Sequence, residues 1–141
     1  MARIIKTGKT PAKQRHLHRR SCAEALHLLA KSSVFGAEER DLASFIVTNL
    51  RGIYKTIESS ANSWDDRGYW KKAEDLRQRW HWTRTTADEL EALILSESWN
   101  EIPPLLVSLV SRFDDITVRN ITRNGDWWCG AHRALHKQAS N

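Results

Sequence analysis

The stretch at 73–94, AEDLRQRWHWTRTTADELEALI, decides the fold of this chain. Its apolar or small residues recur at alternating steps of three and four, at Ala73, Leu76, Trp80, Thr83, Ala87, Leu90 and Ile94. Such steps place side chains on one face of an α-helix, and an unbroken run of heptads is typical of a helix that packs against other helices. The pattern predicts a long helix that ends near Ser96.

Similar periodicity on both sides of this helix predicts further helices at 12–32, 37–66 and 104–123, and a short one at 127–137. Residues that favour turns separate them, among them Gly36, Gly68 and the pair Asn124-Gly125. No segment alternates as a β-strand does. We therefore expect an all-α fold: an up-down-up-down four-helix bundle with a short C-terminal fifth helix, in which 1–11 is a flexible basic leader and 12–141 is one domain.

Composition limits the class of protein. The chain has 141 residues, of which 40% are hydrophobic and 28% charged, so it is too apolar for a disordered protein. No apolar run approaches the roughly 18 residues that span a bilayer, and no secretory signal is evident. Cys22 and Cys129 are too few for a disulfide framework. We expect a cytoplasmic protein without a membrane partner.

Positive charge is concentrated at the N-terminus. The first twenty residues contain no acid and seven cations, Arg3, Lys6, Lys9, Lys13, Arg15, Arg19 and Arg20, whereas the rest of the chain holds 15 Lys and Arg against 17 Asp and Glu. A segment of one charge sign binds polyanions, because each neutralised phosphate releases a counterion. The alternative is a solvated terminus without a ligand.

A second basic stripe lies at 77–84, RQRWHWTR, where Arg77, His81 and Arg84 follow one another at steps of four and three. Aromatic residues among cations bind nucleic acid by stacking and charge, and they also anchor protein partners. In the alternative interpretation, Trp82 packs under the first or fourth helix. The arginines then form ion pairs with Glu74, Asp75 or Asp88.

Evidence for catalysis or a cofactor is weak. Cys129, His132 and His136 have a spacing that suits zinc on one helix face, but Gly130 weakens that helix and no second cluster of ligands is present. In the alternative interpretation Cys129 packs beneath a tryptophan and the histidines face water. Neither cysteine lies in a nucleophile elbow, and no phosphate-binding glycine loop is present. We therefore expect no cofactor, and favour a protein that is not an enzyme.

The turn at 64–73, WDDRGYWKKA, joins the second and third predicted helices. Its pattern, Trp–acid–x–Arg–x–Tyr–Trp–x–x–Ala, resembles that of a group of short, all-helical, uncharacterised bacterial proteins of the Chloroflexi and cyanobacterial kind. The resemblance implies a helical protein and carries over no catalytic residue. From the residues themselves we expect a structural clamp at this corner, formed by Trp64, Arg67, Tyr69 and Trp70; a binding site is the alternative.

Together these features favour a non-enzymatic helical accessory subunit that contacts nucleic acid, or an acidic protein, through its basic residues. The alternative is a scaffold that self-associates through a tryptophan-rich face, as a homo-oligomer or within a larger assembly. A small metal-binding protein is the third hypothesis.

Overall fold

A computed structural model describes residues 9–140 of the chain, and within them it is all-helical, without a β-strand. This confirms the predicted fold class. The five α-helices are α1 (Pro11–Lys31), α2 (Ala37–Asp66), α3 (Trp70–Leu95), α4 (Ile102–Val110) and α5 (Ala131–Ala139). Short 3-10 turns lie at Trp99–Glu101, Ser111–Phe113 and Gly125–Trp127. No helix in the described residues is long and apolar enough to cross a bilayer.

Local capping explains where the long helices begin and end. Thr10 caps α1 by accepting a hydrogen bond from the Lys13 amide at 3.2 Å. Glu39 closes the turn before α2, since its carboxylate accepts from the amide of Gly36 at 2.8 Å. After α2, Gly68 takes a φ of 82°, the left-handed conformation that glycine adopts without strain.

The three long helices pair in antiparallel fashion, with α2 in the middle. Arg15 near the start of α1 donates to Thr56 and Ser60 near the end of α2, at 3.0 and 3.1 Å. Likewise Arg77 near the start of α3 donates to Asp65 at the end of α2, at 2.6 Å. The apolar face of α2 supplies the centre of the core, with four large residues fully buried: Ile46, Leu50, Ile53 and Ile57.

A glycine permits the close approach of α1 and α2. A Cβ at Gly52 would lie 2.3 Å from the imidazole of His18, a separation that real atoms do not tolerate. The same imidazole is held in place by Asn49, whose Oδ1 lies 2.8 Å from the His18 Nδ1. Gly52 therefore provides the space in which the His18 ring lies against α2.

The prediction of a fourth long helix at 104–123 is wrong. Helix α4 ends at Val110, one 3-10 turn follows, and the chain from 117 to 124 has no regular structure. The reason is tertiary: Arg20 of α1 donates to the carbonyls of Thr117 and Asn120, at 3.0 and 2.8 Å. Side chains of α1 thus satisfy backbone groups that a helix would otherwise pair internally. The β-branched residues of this segment also disfavour helix, and the four-helix arrangement is not confirmed.

Helix α5 begins four residues later than predicted, because Gly130 interrupts the segment with a φ of 82°. Asp41 of α2 holds its start, accepting hydrogen bonds from the amides of Gly130 at 3.3 Å and His132 at 2.9 Å. Trp128, just before α5, is buried against Phe45 with 6.1 Å between ring centroids. Helix α5 therefore packs on the first half of α2.

Candidate nucleic-acid interface

Three of the basic residues predicted to bind nucleic acid are held inside the fold. Arg15 is half-buried and bonded to the two hydroxyls on α2 described above. Arg19 forms an ion pair with Asp115 at 2.7 Å, and its hydrogen bond lowers the pKa of that carboxyl. Arg20 pairs with Glu24 at 2.7 Å. All three stabilise contacts between α1 and other segments.

Two of these arginines also lie over an aromatic layer. The guanidinium carbons of Arg15 and Arg19 are 5.8 and 5.9 Å from the ring centroid of Trp80. Trp80 stacks on Trp82, and Arg112 lies 4.6 Å from the centroid of the Trp82 ring. Cation–π contacts of this kind hold α1, α3 and the turn after α4 together.

Other basic residues at and just before the start of α1 face solvent. Lys9, Lys13 and His16 are exposed, follow one another at steps of four and three, and line an open depression of about 390 Å³. We call these three residues the α1 stripe. Lys13 and His16 form no ion pair with any residue in 9–140. Arg3 and Lys6, predicted to act with them, lie outside the described residues.

The helix adds its own field to the α1 stripe. The first turn of α1 contains no acidic residue, and Glu24 is the single acid of the whole helix. The helix macrodipole places partial positive charge at this N-terminus. The exposed start of α1 is therefore positive through both its side chains and its backbone.

The stripe predicted at 77–84 lies elsewhere. Arg77 pairs with Asp65, whose hydrogen bond raises the pKa of the guanidinium. The ring of His81 meets that of Tyr54 edge-on at 6.4 Å, and the Arg84 guanidinium lies 5.8 Å from the Tyr54 centroid. All three side chains therefore follow the seam between α2 and α3, and no described contact joins them to the α1 stripe.

Most of the predicted clamp residues meet at the corner between α2 and α3. Trp64 and Tyr69 pack edge to face with centroids 5.7 Å apart, and Arg67 and Lys72 each lie 4.5 Å from the Trp64 centroid. Trp70 does not take part: its side chain is 73% exposed. The corner thus contains a packed cluster of four residues and one tryptophan that faces solvent.

The other tryptophans do not form an exposed face. Trp82, Trp99 and Trp127 are half-buried, and Trp128 is buried. Trp82 packs edge-on against Phe113 of the 3-10 turn after α4, with 5.9 Å between the ring centroids. A scaffold that associates through a broad tryptophan-rich surface therefore receives no support from these four residues.

The weak metal candidates come together only in part. The Nε2 atoms of His132 and His136 are 3.1 Å apart. Burial lowers the pKa of His132, and the neighbouring His136 lowers it further. Within residues 9–140, however, no three His, Cys, Asp or Glu residues are placed to hold a metal ion, so Cys129 completes no three-ligand site with the two histidines.

A buried ionic network is the main feature that the sequence pattern did not predict. Glu24 is 1% exposed and accepts hydrogen bonds from the amides of Thr122 and Arg123, at 2.6 and 2.9 Å. Burial favours the neutral acid, but these bonds and those of Arg20 and the Thr122 hydroxyl outweigh it and keep the Glu24 pKa below its usual range. The side chain of Arg123 in turn donates to Ser21 at 3.0 Å. The sequence pattern carries no signal for this burial, because helical periodicity places Glu24 on the face opposite Cys22, Ala25, Leu26 and Leu29.

An apolar cleft lies between the end of α1 and α4. Its volume is about 300 Å³, and Leu26, Leu29, Phe35, Leu106, Val107 and Val110 contribute to its lining. Val107 is 71% exposed at its edge. Exposed apolar surface of this kind marks contact sites for other molecules.

No family model, curated protein or solved structure matches this chain. The resemblance of the corner motif to helical bacterial proteins therefore stays a prediction, and function has to be argued from the geometry of the described residues.

Proposed function

We propose that this chain is a non-enzymatic helical accessory subunit that binds nucleic acid through the α1 stripe and the basic residues that precede it. The observation that supports the proposal is the division of the cations in and just before α1. Arg15, Arg19 and Arg20 have partners inside the fold, whereas Lys9 and Lys13 are exposed and lack an ion-pair partner in 9–140. Unpaired cations at the positive end of a helix attract a polyanion.

The antiparallel pairing of α1, α2 and α3 makes the helices a rigid frame for this surface. The side-chain pairs between these three helices support an up-down topology for them. A binding role also suits Cys22, which is fully buried. Burial raises the pKa of its thiol, so it stays protonated and is a poor nucleophile. Nucleic acid as the ligand favours the cytoplasm as the location.

Fluorescence anisotropy with labelled DNA at low salt tests the proposal. The double variant Lys9→Ala/Lys13→Ala removes two phosphate contacts and should weaken binding about uniformly across sequences. The control, Lys31→Ala/Lys137→Ala, removes the same charge from exposed sites outside the α1 stripe. We expect a clear loss for the first pair and little change for the control. Equal affinities for both double variants would contradict the proposal.

Self-association remains a second candidate function, supported by the apolar cleft rather than by the tryptophans. In this candidate, Val107 and Val110 of one copy contact the cleft of another. Val107→Glu would then shift the molar mass measured by light scattering toward that of the monomer. An unchanged molar mass would remove the candidate.

A further inference from the structure

Trp70 is unlike the other tryptophans. All seven lie within the described residues, and the other six are half-buried or buried. Trp70 is 73% exposed at the first position of α3, and no ring contact joins it to another residue in 9–140. Its neighbour Tyr69 is 52% exposed, although Tyr69 packs against Trp64. Most of the surface of the Trp70 indole is therefore accessible to a ligand.

The start of α1 lies at the same end of the molecule as Trp70. Arg15 bonds Ser60, and because the two helices are antiparallel, the start of α1 and the end of α2 extend from this pair in the same direction. Pro11 lies about 6 Å along the axis from Arg15, and Asp66 about 9 Å from Ser60, at the usual helical rise. The start of α1 and the α2–α3 corner therefore lie at the same end of the molecule, which we call the basic end, residues 9–13 and 64–72.

Positive charge predominates at the basic end. Its residues include five Lys or Arg and two Asp. Of the acids, Asp65 is paired with Arg77, which leaves Asp66 as the exposed carboxylate without an ion pair in 9–140. Arg67 and Lys72 remain close to the aromatic rings, since both lie 4.5 Å from the centroid of Trp64. Arg67 and Lys72 therefore lie at the same corner of the fold as Trp70.

We infer that the nucleic acid bound by this protein is single-stranded, and that a base stacks on Trp70 while the cations of the basic end contact the adjacent phosphates. Surfaces that combine a positive track with exposed aromatic side chains bind single strands, because every unpaired base offers a π-face. A duplex keeps its bases stacked on one another and offers this surface its phosphates alone. The inference rests on the proposed function and specifies the class of nucleic acid.

The test compares two labelled probes with the full-length chain, an oligothymidylate of about 20 nucleotides and a duplex of the same length. Trp70→Ala should weaken binding to oligothymidylate roughly tenfold, in the range measured for loss of one stacked base, and leave the duplex affinity within about twofold. Trp70→Phe, which keeps an aromatic ring, should retain most of the affinity for oligothymidylate. Because Trp70 is exposed, these variants should unfold at the same temperature as the native chain.

The variants separate failure of this inference from failure of the proposed function. If Lys9→Ala/Lys13→Ala weakens both probes but Trp70→Ala weakens neither, or weakens both equally, the chain binds nucleic acid and the stacking inference is wrong. If the lysine pair weakens neither probe, the proposed function itself fails. Vesicles of anionic lipid are the third probe. If the chain binds them in a manner that depends on Trp70 and does not bind oligothymidylate, the inference is overturned in favour of a membrane surface.

Discussion

Replacement of Gly52 by alanine tests the packing of α1 on α2. The substitution places a methyl group 2.3 Å from the His18 ring, which Asn49 holds by a 2.8 Å hydrogen bond. Overpacking of this kind costs about 1–3 kcal/mol. If His18 instead swings away, the buried amide oxygen of Asn49 loses its partner, at a similar cost of about 1–3 kcal/mol. Alanine also stabilises the helix by about 1 kcal/mol relative to glycine, because its helix propensity is higher.

The expected net effect of Gly52→Ala is a loss of about 0–2 kcal/mol in the free energy of unfolding, measured by urea denaturation monitored by circular dichroism. The decisive comparison is the same substitution in a His18→Ala background. There the methyl group has space, so Gly52→Ala should stabilise the protein by up to about 1 kcal/mol through helix propensity alone. The sign of the effect therefore reverses between the two backgrounds. Stabilisation by Gly52→Ala in the native background would refute the close approach.

Further predictions concern charge, pH and exposure. Glu24→Ala removes the buried carboxylate and leaves Arg123 without its anion, so it should lower the free energy of unfolding by about 3–5 kcal/mol. Asp115→Ala removes one partner of an exposed ion pair and should lower it by about 1 kcal/mol or less. Burial lowers the pKa of His18 in the folded state. The contribution of His18 to the free energy of unfolding is therefore fully present above its unfolded pKa of about 6.5 and is lost as the pH falls below that value. His18→Gln should remove this part of the pH dependence. Iodide should quench the fluorescence of Trp70→Phe much less than that of the native protein, and equal quenching would contradict the exposure of Trp70.

Local pattern was sufficient to predict the long helices. The bounds of α2 agree with its periodicity and its turns, and five residues of the predicted α3 seam are buried: Ala73, Thr83, Ala87, Leu90 and Ile94. These elements combine a continuous apolar stripe with clear end signals, so neighbouring residues suffice to define them. The all-α class follows from the same signals.

Predictions that depended on distant residues were less successful. The fourth helix ends early because Arg20 and Glu24, about a hundred residues away in sequence, bind the backbone of the segment that follows it. The same limit applies to the predicted basic site. The sequence groups Arg19 with Lys13 because both lie in the acid-free first twenty residues, but whether a cation faces solvent depends on a partner such as Asp115, which another segment supplies.

The salt dependence of duplex binding tests the central claim most directly. Each phosphate contact contributes about 0.9 to the slope of log affinity against log salt concentration on duplex DNA. If Lys9 and Lys13 each contact a phosphate, the slope for Lys9→Ala/Lys13→Ala should be shallower than that of the native chain by about 1.8. Parallel lines for the two proteins would show that the exposed start of α1 does not bind the polyanion.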